Sequence, residues 1–301
     1  MLNKLKEVID GSRIQENVSM KKYTTFKTGG TAKIFVTPEN TKELADVVKF
    51  FNEYGCGYFL LGNGSNVLVS DNGVSAPVIH ISKALSSIDV FDNIITVRAG
   101  ASLAATAAAA LENSLAGFEF AAGIPGTFGG AIMMNAGAYG GEMKDVVEAV
   151  SFIDPFGEQH IATNEEMEFS YRKSALSDTG CIITGGTIKL IRGNREEISE
   201  KMADLAKRRR EKQPLEFPSA GSTFKRPVGN YAGALIENAG LKGYTIGGAQ
   251  VSCKHAGFII NTGTATTDDI LRLIEYVKET VYANSGILLE EEVKYWEGEA
   301  V

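Results

Sequence analysis

The sequence predicts a mixed α+β fold without the regular βαβ alternation of a doubly wound sheet. Short apolar, strand-like runs follow one another through residue 193 with few helices between them, and helical periodicity gains weight only afterwards. A third observation bears on what the fold is for: the 33 glycines cluster instead of scattering. With 301 residues, 44% of them hydrophobic, the chain can bury a substantial core in two or three domains.

The elements can be justified in order. The opening MLNKLKEVID has helical spacing with charges on both sides. Asn40 and Glu43 form a capping box ahead of Leu44, Val47, Val48 and Phe51, and Gly55 closes that helix. Strands are expected at 58–61, 66–70, 77–81 and 94–99, then an alanine-rich helix from Ser102 to about Asn113. Further strands are expected at 146–153 and 181–191. Asn194 and Glu197 cap a helix with Ile198, Met202 and Leu205 on one side and Pro214 beyond its end. The next helix runs from about Thr267 to Ala283, with Ile270, Leu273, Ile274, Val277 and Val281 inward and Gly286 as its stop. GILLEEEVKYW (286–296) reads as a last strand. The best break lies near Arg192–Asn194 and a weaker one near 71–76, which gives domains at 1–75, 76–193 and 194–301.

Composition excludes several function classes. A formal net charge of -7 argues against nucleic acid or an anionic membrane surface as partner. No apolar run approaches the ~20 residues of a membrane span. The first residues lack the apolar core of a secretion signal. Three scattered cysteines make neither a disulfide framework nor a metal cluster, and three histidines leave few zinc ligands. A cytoplasmic protein without a metal is expected.

The glycines are more specific. LGNGSNVLVS (61–70) holds Gly62 and Gly64 around an asparagine, between two apolar runs. No lysine follows as in a P-loop, the sixth residue from Gly62 is Val67, and a strand follows where a dinucleotide turn would open a helix. Backbone N–H groups of such a turn can still cradle an anion, with Ser65 and Asn66 as side-chain donors; an ordinary Asn-Gly hairpin is the alternative. A second stretch, GFEFAAGIPGTFGGAIMMNAGAYGG (117–141), carries eight glycines and one charge, Glu119. That composition fits tightly wrapped backbone approaching a bulky, phosphate-bearing cofactor, although a glycine-rich core turn would look similar. Two such turns favour a dinucleotide.

YTTFKTGG (23–30), LGNGSNVLV (61–69) and AGIPGTFGGAIMMNAGAYG (122–140) resemble the UDP-N-acetylenolpyruvoylglucosamine reductase (MurB) family. FSYRKSAL (169–176), PSAGSTFKRP (218–227), NAGLKGYTIGGAQVSCKHAGFIIN (238–261) and GILLEEEV (286–293) continue the resemblance in order. It covers essentially the whole chain. The glycine segments alone resemble the wider flavoprotein family with the PCMH or vanillyl-alcohol-oxidase type of FAD-binding fold. The later segments are specific to the reductase, in its shorter branch without an inserted loop. The resemblance implies a non-Rossmann, two-lobed FAD-binding domain followed by a smaller α+β substrate-binding domain. It also implies NADPH as co-substrate and UDP-N-acetylglucosamine enolpyruvate as the small-molecule substrate, reduced to UDP-N-acetylmuramate for peptidoglycan. By resemblance, Gly62, Asn63, Gly64, Ser65 and Asn66 form one pyrophosphate loop; Gly123, Ile124, Gly126, Thr127, Gly129 and Gly130 form the second. No histidine lies in these turns, so the FAD is expected to be non-covalent. A monomer or weak homo-oligomer is expected.

Hydride addition to a vinyl ether leaves charge beside a carboxylate, so the site needs a fixed cation and a proton donor. Bidentate arginine suits a planar carboxylate, and Arg172 in SYRKS matches the family's arginine. Ser222 in AGSTF matches its proton donor. By spacing alone both read as turn residues. Strand alternation puts Ile287, Leu289, Glu291, Val293 and Tyr295 on one face and Glu290, Glu292 and Lys294 on the other, and does not choose between Glu290 and Glu292. The family pattern selects Glu292 as the residue assisting Arg172. The same acids could instead be a solvated strand edge. Lys212, in the basic run 206–214, aligns approximately with a family lysine near the substrate, and Tyr244 and Lys254 lie in matching segments. His255 is expected to pack, and Gly257 stands where the family often has asparagine. The runner-up is an oxidase or dehydrogenase of the same FAD fold, which has no reason to contain Arg172, AGSTF and LEEEV together. A non-catalytic nucleotide-binding scaffold would leave any bound flavin irreducible by NADPH.

Overall fold

The computed structural model describes residues 1–298. The chain forms two compact units that interleave along the sequence. The first comprises Met1–Gln15, Phe35–Gly62 and Val78–Arg208; the second comprises Glu16–Ile34, Asn63–Pro77 and the chain from Arg209 onward.

The first unit is built on a five-stranded antiparallel sheet in the spatial order Gln159–Thr163, Val147–Ile153, Ile182–Lys189, Ile94–Arg98, Ile88–Phe91. Ile95, Val97, Val150 and Ile188 point from it into a core shared with Phe118, Phe128 and Ile132. A smaller parallel set pairs Phe59–Leu61 with Val78–His80, whose other edge meets Phe35 and Val36. Helices α1 (Leu2–Val8), α2 (Thr41–Glu53), α3 (Leu103–Glu112), α4 (Phe128–Met133) and most of α5 (Arg195–Lys212) complete the unit.

The helix ends follow the sequence signals. The Asn40 side chain accepts from the Glu43 N–H at 2.8 Å, while the Glu43 carboxylate reaches Glu39, one residue outside the cap. Ser102 caps α3 through the Ala105 N–H, and Asn194 caps α5 through Glu196 and Glu197. On α5 only Ile198 of the expected apolar side is fully buried; Met202 and Leu205 are half-covered.

In the second unit Val67–Val74 lies parallel to Lys294–Gly298 and meets Ala32 through Val74. A three-stranded antiparallel sheet (Thr245–Ile246, Ala249–Val251, Ile259–Asn261) and two helices, α6 (Ala232–Asn238) and α7 (Thr267–Ser285), pack with them. Ile270, Leu273, Ile274, Val277 and Val281 are buried as expected, and Gly286 ends α7 at φ 70°. Residues 71–76, which composition marks as a break, contain the end of a strand. The Asp71 carboxylate there accepts from the Thr267 and Asp268 N–H groups, and the Thr267 hydroxyl donates to the Val69 carbonyl.

The segment 286–296 departs from the expected strand. Within it strand begins only at Lys294, in Lys294–Gly298; before that the chain has no regular structure apart from a bridge of Glu291 to Phe224. Leu289, Val293 and Trp296 are buried, while Tyr295 is 40% exposed. The segment changes partners between residues 292 and 294, from Thr223 to Asn66, and the chain bends at Val293 between them, so the side facing the core is reset.

Candidate active site

The turn after Leu61 depends on its glycines. Gly64 has φ 61°, and a Cβ there would fall on the Tyr23 carbonyl, so no other residue fits without displacing the turn that Tyr23 closes. The Gly64 carbonyl accepts from the Thr25 N–H at 3.0 Å. In the first unit, a Cβ on Gly62 would lie 2.6 Å from Thr127 Oγ1. Among the described residues, the N–H groups of Asn63, Gly64, Ser65 and Asn66 meet no protein acceptor. The Asn66 side chain turns to Glu292, donating to its carbonyl at 3.0 Å.

The second glycine segment is more structured than its composition implies. It contains the six-residue helix α4, which the sequence pattern does not reveal. Thr127 caps α4, its Oγ1 accepting from Gly130 N–H at 3.4 Å. Phe128 and Gly129 N–H groups bond to the Ala101 and Ala99 carbonyls, which moors the turn. Ile124 packs against the core, whereas Gly123 and Gly130 are exposed. Among the described residues, the N–H groups of Gly123, Gly126 and Thr127 are without acceptors. Amides of a glycine turn that meet no acceptor are a ready place for an anion.

Arg172 sits in a tight turn closed by reciprocal backbone bonds between Ser170 and Lys173. Its φ of 57° is left-handed, a strain of the kind found at functional positions. The guanidinium lies over the Tyr171 ring, 5.0 Å from its centre, and donates to the Gly137 carbonyl at 3.4 Å. Asn135, fully buried at φ 42°, pins this turn. Its amide donates to the Ser170 carbonyl and to Glu142, and its oxygen accepts from the Lys144 N–H. Sequence reading gave Asn135 no role, because an asparagine among glycines carries no distinguishing signal.

In the second unit, 222–225 and 290–292 run antiparallel: Phe224 bridges Glu291, Lys225 N–H donates to Glu290 O, and Glu292 N–H donates to Thr223 O at 2.8 Å. Ser222 and Glu292 therefore lie on neighbouring stretches of backbone, although 70 residues separate them in the numbering used here. Ser222 is exposed, and its hydroxyl makes no hydrogen bond among the described residues. Thr223 beside it is 1% exposed and fixed, its N–H to Gly257 O and its Oγ1 by the Ile259 N–H. Glu292 is half-buried.

The remaining expected contact residues have these surroundings. Lys212 is exposed at the end of α5. Lys254 forms a loose ion pair with Glu216 at 3.6 Å. Tyr244 stacks on Tyr276 with ring centres 4.4 Å apart, and its hydroxyl's bond with Tyr276, then burial, raises its pKa. His255 packs: its Nδ1 accepts from Gly257 N–H, and burial lowers its pKa. A side chain at Gly257 would press a Cβ to within 3.0 Å of that ring, which gives the departure from asparagine a local consequence.

The profile described as UDP-N-acetylenolpyruvoylglucosamine reductase, C-terminal domain, matches residues 213–296, and that described as FAD binding domain matches 32–163. The chain is 51% identical over 98% of its length to a UDP-N-acetylenolpyruvoylglucosamine reductase of Caldanaerobacter subterraneus, of which it covers 97%. It is 48% identical over 96% of its length to that of Clostridioides difficile, covering 95%. Among solved structures it is similar to UDP-N-acetylenolpyruvylglucosamine reductase (MurB) from Thermus caldophilus, with a TM-score of 0.82, 38% identity and coverage of 94% of this chain and 100% of that one. A glucose dehydrogenase, Phl p 4.0202, shares the fold alone, at a TM-score of 0.52 and 16% identity over 64% of this chain and 44% of its own. No helix among the described residues is long and apolar enough to cross a membrane. The chain belongs to the UDP-N-acetylenolpyruvoylglucosamine reductase family.

Proposed function

We propose that the protein is an FAD-dependent reductase that uses NADPH to convert UDP-N-acetylglucosamine enolpyruvate into UDP-N-acetylmuramate, a step of peptidoglycan precursor synthesis. The reading is carried by one observation in a chain of this family: an exposed serine hydroxyl on backbone paired beside a half-buried glutamate. Each glycine turn taken by itself supports this reading: the amides of 63–66 in one and of Gly123, Gly126 and Thr127 in the other meet no acceptor among the described residues and could receive a phosphate, and with no histidine in those turns the FAD would be held non-covalently. When bound, FAD supplies hydride chemistry linking NADPH to the enolpyruvyl group.

The chain's own residues bind, orient and protonate. The Arg172 guanidinium would hold the substrate carboxylate and offset the charge that develops beside it. The Ser222 Oγ would deliver the proton to the carbon next to that carboxylate; a hydroxyl is a weak acid, but the carbon is strongly basic at that moment. Glu292 would act with Arg172 on the enol, while Lys212 would approach the nucleotide diphosphate and Tyr244 and Lys254 would touch substrate. Residues 1–75 and 76–193 would act as the two FAD lobes and 194–301 as the substrate domain, in a cytoplasmic monomer or weak homo-oligomer.

The test is a visible spectrum followed anaerobically through addition of NADPH and then the enolpyruvyl substrate. A flavin spectrum that bleaches and then returns is the expected outcome. A colourless protein that FAD cannot reconstitute, or bleaching without recovery, would defeat the reading. Ser222→Ala should bleach yet fail to recover; normal turnover would remove the serine from its role.

A further inference from the structure

Asn66 belongs to the glycine turn, but its side chain does not face the turn's free amides. Its Nδ2 donates to the Glu292 carbonyl at 3.0 Å, and its own carbonyl accepts from the Lys294 N–H at 3.0 Å. The N–H of Glu292 is held from the other direction by Thr223 O at 2.8 Å. The peptide groups flanking Glu292 are thus fixed by two segments, one next to Ser222 and the other the glycine turn. The amide of Asn66 crosses 226 residues of sequence to make its bond. A residue serving only as a hairpin corner needs no such partner.

We infer that Asn66 is a positioning residue for Glu292, and that occupation of the glycine turn by a phosphate-bearing cofactor sets the geometry of the Glu292 segment. The inference rests on the proposed reductase reading. The Asn66 N–H remains available to an anion, since it meets no acceptor among the described residues. A phosphate drawn to that N–H restrains the same residue whose side chain holds the Glu292 carbonyl. The cofactor turn and the proton-delivering backbone are then linked through a single side chain, and a displacement of about 1 Å there is enough to slow chemistry by ~100-fold.

The experiment compares wild type with Asn66→Asp, which replaces the donor by a carboxylate facing the Glu292 carbonyl, and Asn66→Gln, which keeps a donor on a longer arm. In protein saturated with FAD, Asn66→Asp is expected to slow substrate-driven recovery by roughly tenfold more than it slows NADPH bleaching. Asn66→Gln should regain part of the loss. In a Glu292→Gln background, Asn66→Asp should add little, because the two changes act through one group. Amide hydrogen exchange gives a readout independent of turnover: FAD should slow exchange across 291–294 in wild type and fail to do so in Asn66→Asp. Equal slowing of both half-reactions, full additivity with Glu292→Gln, or FAD protection of 291–294 retained in Asn66→Asp would each overturn the inference. Wild type that neither bleaches nor recovers would instead bring down the reductase reading, whereas failure confined to the Asn66 variants leaves that reading standing.

Discussion

At the scale of single residues, Asn135 shows how much a site can owe to a side chain that touches no substrate. It is fully buried, uses both amide hydrogens and its oxygen, and occupies a left-handed conformation that asparagine tolerates. Replacing it with leucine of similar size would leave the Lys144 N–H without its acceptor and remove one of two partners from both the Ser170 carbonyl, which keeps the Lys173 N–H, and the Glu142 carboxylate, which keeps Lys144 Nζ. Each buried group left unpaired costs about 1–3 kcal/mol. Asn135→Leu is therefore expected to lower unfolding stability by about 1–3 kcal/mol in urea titration. It should also raise KM for the enolpyruvyl substrate, because the turn presenting Arg172 loses its tie. An unchanged denaturation midpoint would show that the network contributes nothing net.

At the scale of elements, what could be read from sequence was whatever carries its own local signal. Asn40, Ser102, Asn194 and Gly286 mark helix ends through bonds formed within a few residues, so α2, α3, α5 and α7 were legible. Helix α4 was not: two of its six residues are glycines, and its start is held by Ala99 and Ala101, a non-local contact. Alternation failed at Tyr295 because the segment changes strand partners, which no periodicity records. For the site, residue types in order indicated which side chains to examine, but the bonds from Asn66 to Glu292 and from Asn135 to Ser170 exist only once the chain is folded. Helix α7 provides a test at this scale. Thr266 and Asp269 form a reciprocal capping box at its start, and the Asp269 carboxylate also accepts from Gly248 N–H. Thr266→Ala should cost about 1 kcal/mol, seen as a lower thermal midpoint. Thr266→Ser should recover most of it, and a variant as stable as wild type would mean that Asp269 alone holds the helix start.

At the scale of the whole molecule, a chain with formal net charge -7 depends on carboxylates that are held ionised. Glu119 is the most enclosed example, 4% exposed, accepting from Gly117 N–H and from Lys201 Nζ, each at 3.0 Å. Burial by itself would push its pKa up, but the Gly117 and Lys201 bonds outweigh it, and the carboxyl titrates below its ordinary 4.5. Asp269 is lowered in the same direction by the Thr266 and Gly248 N–H groups. A carboxyl whose pKa is lower in the folded state contributes its full stabilisation above the unfolded value. That contribution is lost as pH falls through the folded one. Glu119→Gln cannot ionise, so it lacks this contribution at every pH. The variant should be less stable than wild type by about 1–3 kcal/mol at pH 7. The gap should hold down to about pH 5 and close progressively below pH 4, as the wild-type carboxyl takes up its proton. Denaturant titrations at pH 7, 5, 4 and 3 measure it directly. A gap that stays constant across that range would mean that Lys201 and Gly117 bind the neutral side chain as well as the charged one, so that Glu119 contributes packing and not charge.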